Sequence, residues 1–184
     1  MDDASVQKEW DRFSKSIGGR VEKRKENYSN PDNIYRIVTD KNTIELTWAN
    51  RPQKGRGFYL IFESLLTYEL TNSETIKLKV QPTDFLSKIF SFLTQSRKKT
   101  GIKELDNAYI FICNSDSLIL ELTDEFISFY KNNTYKNFNI EIETITDKRT
   151  LRIFIPELLT SQEKLEYYYN FGQRIAKIID GGKH

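Results

Sequence analysis

The chain has 184 residues, 28 basic and 26 acidic side chains for a formal charge of +2, with 38% of residues apolar and 29% charged. Such a composition is globular rather than disordered, and it lacks the strongly basic footprint of a dedicated nucleic-acid binder. The only histidine is His184 and the only cysteine is Cys113, so the chain lacks the residues for a Ser-His-Asp triad, a Cys-His pair or a zinc centre of His and Cys.

A chain of this size buries roughly 70% of its extended surface, enough to close a core as a single domain over 1–184. Phe and Tyr, 12 and 10 residues, supply much of that area. A lone cysteine makes no internal disulfide, and the acidic start Met1–Gln7 holds no apolar signal core. No apolar run nears the roughly 20 residues that span a bilayer. The expectation is a soluble, cytoplasmic protein with no cofactor and no metal.

The first helix is predicted from Asp3 to Ile17, because Val6, Trp10, Phe13 and Ile17 recur on one face and Gly18-Gly19 provides the stop. Arg20–Lys25 reads as a short strand, with Val21 alternating against charged neighbours, and Asn30-Pro31-Asp32 as a turn. Ile34–Thr39 and Thr43–Ala49 form a hairpin across Asp40-Lys41-Asn42. The Pro and Gly content makes Arg51–Gly57 a loop, and the strands Phe58–Leu66 and Thr75–Gln81 follow.

Pro82-Thr83-Asp84 opens a helix capped by Thr83, with Phe85, Ile89, Phe92 and Leu93 as its stripe and Arg97-Lys98-Lys99 in its last turn. Asn107–Cys113 is apolar on both faces and reads as a covered strand. Asn114–Ser117 is a turn or cap; Leu118–Leu122 is ambiguous by periodicity and is read as a helical turn leading into Thr123–Lys131, where Leu122, Phe126 and Phe129 share a face. Phe138–Thr144 and Thr150–Ile155 alternate with period two and pair as a hairpin through Thr146–Arg149. A capping box, Thr160 with Glu163, starts the last helix; Leu165, Tyr168, Gly172, Ile175 and Ile179 form its stripe, and Gly181-Gly182 ends it.

Strands cluster and hairpins dominate, so the fold class is α+β: a largely antiparallel sheet of about six to eight strands with helices at the N-terminus, middle and C-terminus packed on one face. Lys77, Lys79, Glu141 and Glu143 mark the other face as wet.

Candidate chemistry is sparse. Gly55-Arg56-Gly57 is too short for a dinucleotide fingerprint and opens no helix. Glu141 and Glu143 share a strand face about 7 Å apart, the kind of separation glycosidases use, yet with Arg149 and Arg152 across the hairpin they read as a charge ladder. Asp106 and Asp116 read as turn formers, and no spacing gathers Glu45, Asp106, Lys77 and Lys79 into a metal-dependent nuclease site. Cys113, inside an apolar run, is an inert core thiol. Of the run Tyr167-Tyr168-Tyr169, one or two side chains pack and one is left outside. The most suggestive surface feature is the loop with Arg51, Lys54 and Arg56 followed by Phe58; Lys23-Arg24-Lys25 and Arg97-Lys98-Lys99 are further cationic clusters.

The stretch Gly101–Asp116, with Asp106 and Tyr109 inside it, resembles the signature of a family of uncharacterised bacterial proteins with a domain of unknown function. There a Gly…Phe-Asp…Tyr segment leads into a buried strand and a short helix; Leu105 stands here for the phenylalanine. The Ile17–Val21 junction and the closing helix are similar too. The resemblance implies the architecture and no activity. The leading functional expectation is a non-enzymatic domain that binds a protein partner. The alternatives are binding of nucleic acid or acidic lipid through Arg51, Lys54, Arg56 and Phe58, and a carboxylate-dependent hydrolase.

Overall fold

Helix α1 (Asp3–Ser16) forms where the apolar stripe demands it: Val6, Trp10 and Phe13 are buried while the intervening Gln7, Lys8 and Arg12 are exposed. Gly18, with φ 67°, turns the chain out of the helix as the Gly19 N–H bonds the Ser14 carbonyl at 2.7 Å. The computed structural model describes residues 3–25, 33–52, 58–71, 76–83, 97–132, 138–145 and 147–181. The turn at Asn30-Pro31-Asp32, the residues Lys54 and Arg56, and the helix carrying Phe85, Ile89, Phe92 and Leu93 lie outside them.

The strands are β1 (Arg20–Lys25), β2 (Asn33–Val38), β3 (Asn42–Pro52), β4 (Phe58–Glu69), β5 (Leu78–Pro82), β6 (Arg97–Lys98), β7 (Tyr109–Cys113), β8 (Asn139–Ile145) and β9 (Lys148–Ile155). The remaining helices are α2 (Lys103–Ala108), α3 (Asp116–Asn132) and α4 (Gln162–Ile179). The nine strands make one open antiparallel sheet in the order β1-β2-β3-β4-β9-β8-β5-β7-β6, with helices packing on it: an α+β fold.

The chain divides into two compact units, residues 1–67 with 154–170, and 68–153 with 171–184. In the first, Tyr35 lies opposite Leu46 and Ile37 opposite Ile44, which places Tyr35, Ile37 and Ile44 on one buried face. The Trp10 and Tyr35 ring centroids stand 6.0 Å apart. On the other face Arg36 faces Glu45, their charges 2.9 Å apart, although the angle at Nε does not make this a hydrogen bond.

In the second unit β7 pairs with β5 on one side and with β6 on the other. Leu78, Val80, Phe111, Cys113, Ile140, Leu151 and Ile153 are all buried. Above them Tyr109, Phe111, Phe126, Phe129, Phe138 and Phe171 interlock; Phe129 stacks on Phe171 at 4.0 Å and meets Phe138 edge-on at 4.7 Å. Off-centre and edge-on contacts of this kind add about 0.5–1.5 kcal/mol each beyond the area they bury.

Several boundaries differ from the sequence reading. Nine strands replace about six to eight, chiefly because Arg97 and Lys98 form the edge strand β6 rather than the last turn of a helix. A two-residue edge strand has no room for an alternating pattern to show. The β3 ladder runs on through Arg51 and Pro52, so these two residues end a strand instead of opening a loop; Pro52 has no N–H with which to extend it. The strand expected from Thr75 starts at Leu78. Lys103–Ala108 is a short helix the composition did not announce. Helix α4 starts one residue late for Thr160 to cap it: Ser161 is the cap, its Oγ accepting the Lys164 N–H at 3.3 Å. The Thr83 hydroxyl, expected as a cap, is buried with no hydrogen-bond partner among the described residues.

Candidate functional site

Of the candidate chemistries, a carboxylate pair makes the most demanding requirements on geometry. In the second unit Glu141 lies opposite Lys79, and Arg152 reaches both acids, 3.8 Å to Glu141 and 2.5 Å to Glu143. Arg152 and Glu141 keep about a quarter of their side-chain surface, 22% and 24%, and Glu143 keeps 42%. Two acids that share one guanidinium have the same partner, whereas acid–base work needs two carboxyl groups in different surroundings. The arrangement is a cross-strand charge ladder.

Asp106 acts locally: its Oδ1 accepts the Thr100 N–H at 2.8 Å and the Thr100 hydroxyl at 2.9 Å, folding the turn through Gly101 into α2. Asp116 pairs with Lys98 at 2.8 Å at the start of α3. Glu45 is taken up by Arg36. Among the described residues no three His, Cys, Asp or Glu side chains gather in a way that could hold a metal ion.

Cys113 is fully buried at the end of β7, its Sγ accepting the Ser115 N–H at 3.4 Å. Burial raises its pKa, against smaller lowering contributions from the Ser115 and Asn114 N–H groups and from Lys98. A thiol held protonated in this way is a poor nucleophile.

Of the loop residues, Arg51 ends β3 and Phe58 begins β4, while Lys54 and Arg56 fall outside the described residues. The tyrosine run splits three ways. Tyr169 packs on Phe13 at 5.6 Å and accepts a hydrogen bond from Asn42 Nδ2 at 3.1 Å. Tyr168 donates to Glu157 Oε2 at 3.2 Å, and Tyr167 stays half-buried against the Tyr168 ring.

The Tyr168 contact exposes a feature the sequence reading missed. Glu157 is only 8% exposed, and its carboxylate also receives Lys164. Its own carbonyl accepts the buried Ser64 hydroxyl at 2.6 Å, the Leu159 N–H returns to Ser64 Oγ at 3.3 Å, and Trp10 Nε1 donates to the Leu159 carbonyl at 2.8 Å. Four residues thus clasp the segment before α4, within the first unit. The signal was a single carboxylate inside the apolar run Ile155–Leu159. Every polar atom named here has a partner, which is the profile of a structural clasp.

That leaves the ends of the sheet. At one, β6 spans only two residues. At the other, β1 is a six-residue strand paired along its whole length with β2, from Arg20 opposite Val38 to Lys25 opposite Asn33. Among the described residues no strand pairs its outer side. The basic cluster Lys23-Arg24-Lys25 was noted in the sequence, but its place at an edge was not legible there.

No protein-family model matches the chain, and no curated protein or solved structure matches it either. Among the described residues no helix is long and apolar enough to cross a membrane.

Proposed function

We propose that this chain is a non-enzymatic binding domain whose partner is a protein, taken up along the outer edge of β1. One observation supports this most: an open nine-strand sheet that ends in a six-residue strand whose outer side no strand pairs among the described residues. Alternate residues of such a strand turn their N–H and C=O groups outward, where an added strand satisfies them in register. The strand has the ordinary length for pairing of about five to six residues, which β6 does not reach. With one cysteine and no call for an oxidising compartment, the cytoplasm is the compartment we assign.

The reading is tested by selecting extended peptides from a displayed random library on the immobilised chain, then mapping each bound peptide by amide hydrogen exchange. Selected peptides are expected to slow exchange across Arg20–Lys25. Repeated selections that return no binder, or binders that protect only other segments, overturn it.

A further inference from the structure

We infer that the segment accepted at the β1 edge is acidic: an extended stretch of a partner protein, rich in Asp or Glu, that adds to the sheet as a further strand. This rests on the reading that β1 takes up a protein strand. The six residues Arg20–Lys25 carry four cations and one carboxylate. That carboxylate, Glu22, pairs with Arg20, Nε to Oε1 at 2.9 Å, and four cations against one carboxylate leave the strand a formal +3. Opposite charges across a strand pair favour it and like charges oppose it.

The same rule gives a second copy of this chain no such advantage. Antiparallel pairing of β1 with itself about its centre sets Arg20 against Lys25 at both ends of the ladder, and these like-charge contacts offset the two Glu22–Lys23 contacts at its middle. Pairing β1 with β6 of another copy is no better, because β6 offers only two residues, Arg97 and Lys98, and neither is acidic. Cations on an edge strand such as β1 are a device that keeps edges from joining each other. A partner that brings negative charge escapes the repulsion. Because the whole chain carries only +2, the attraction is local to the edge, and salt acts on it over a short range.

The test uses the full chain and four synthetic peptides, each about six residues long, in an alternating Val/Thr background. Three carry Glu, Ser or Lys at the variable positions, and the fourth is the Glu peptide N-methylated at alternate amides. Polyacrylate and a single-stranded oligonucleotide serve as anions that lack a peptide backbone and cannot add as strands. The Glu peptide is expected to bind at least about tenfold more tightly than the Lys peptide. It should lose most of that affinity between about 0.1 M and about 1 M salt, where the screening length falls from about 10 Å to about 3 Å. N-methylation should abolish binding, and Lys23→Glu with Lys25→Glu should reverse the ranking. Lys23→Gln with Lys25→Gln, a milder change, should bring the three peptides level.

A Ser peptide that binds as tightly as the Glu peptide sinks the acidic partner while leaving strand uptake at β1 intact. Undiminished binding of the N-methylated peptide, or equal binding of polyacrylate or the oligonucleotide, reduces the edge to a patch for anions and sinks both. If no peptide binds, both fall as well.

Discussion

Gly172 lies against the ring of Tyr68 so closely that a Cβ on it would stand 2.3 Å from Cε2 and 2.4 Å from Cζ and Oη. Helix α4 passes here over the aromatic ring, and only hydrogen fits. In an exposed helix interior, Ala is better than Gly by about 1 kcal/mol. Here the sign should invert. Gly172→Ala is expected to destabilise by about 1–3 kcal/mol, as overpacked cores do, measured by urea unfolding. In a Tyr68→Ala background the same change should become neutral or favourable. A stabilised Gly172→Ala single variant would show that the ring is not held where it is described.

Asp147, between β8 and β9, is the only non-glycine residue with positive φ among the described residues, at 64°. L-residues in this conformation carry about 1–2 kcal/mol of strain, which short polar side chains lessen and glycine removes. Asp147→Gly is expected to leave stability level or raise it by up to about 1 kcal/mol, and Asp147→Val to lower it by about 1–2 kcal/mol. Thermal melts of the two variants against the parent check the order.

Cys113 should be inert in the native protein. Its thiol is buried and its pKa raised, so labelling by a thiol reagent near neutral pH is expected to proceed only as fast as the chain opens, and to accelerate in step with urea unfolding. Fast stoichiometric labelling without denaturant would contradict this.

Tyr109 sets a limit at alkaline pH. Burial first, and the neighbouring Tyr130 second, push its phenol above the ordinary pKa of about 10. Below that value both native and unfolded chains hold the proton, and the group leaves stability unchanged with pH. Above it the unfolded chain releases the proton while the native chain keeps it, so stability falls as pH rises. The slope from this one group reaches about 1.4 kcal/mol per pH unit. Tyr109→Phe should flatten the decline measured by urea midpoints between about pH 9 and about pH 11; an unchanged slope would refute the assignment.

Glu157 tests the clasp before α4. Glu157→Ala leaves the buried Tyr168 hydroxyl without this acceptor, and a cost of about 1–3 kcal/mol is expected in equilibrium unfolding. Glu157→Gln keeps an acceptor for Tyr168 and should recover part of it. Equal losses for the two variants would mean that the hydrogen bond does not matter.

Periodicity made most of the framework readable before any coordinates. The Val6-Trp10-Phe13 stripe became the buried face of α1, and Leu165, Tyr168, Gly172, Ile175 and Ile179 became that of α4. The alternation through Leu78 and Val80 matched the buried and exposed sides of β5, and Leu118–Leu122 joined one helix with the residues after it. Arg152 between Glu141 and Glu143 closed the ladder their spacing implied. The candidate site was half legible: the charge of Arg20–Lys25 stood in the sequence, its edge position did not.

An amino-acid pattern reports which side of a segment meets the core, because burial of apolar surface is what the pattern encodes. That alone determined the α+β class and the helix faces, and composition added that a single His and a single Cys leave no triad or Cys-His centre. It does not report which strand lies beside which, or how near two distant backbones come, since those depend on register and packing between segments far apart in the chain. Only the tertiary structure could therefore decide that β1 and β6 end the sheet, that Glu157 is clasped by Tyr168 and Lys164, and that Tyr68 leaves Gly172 no room for a side chain.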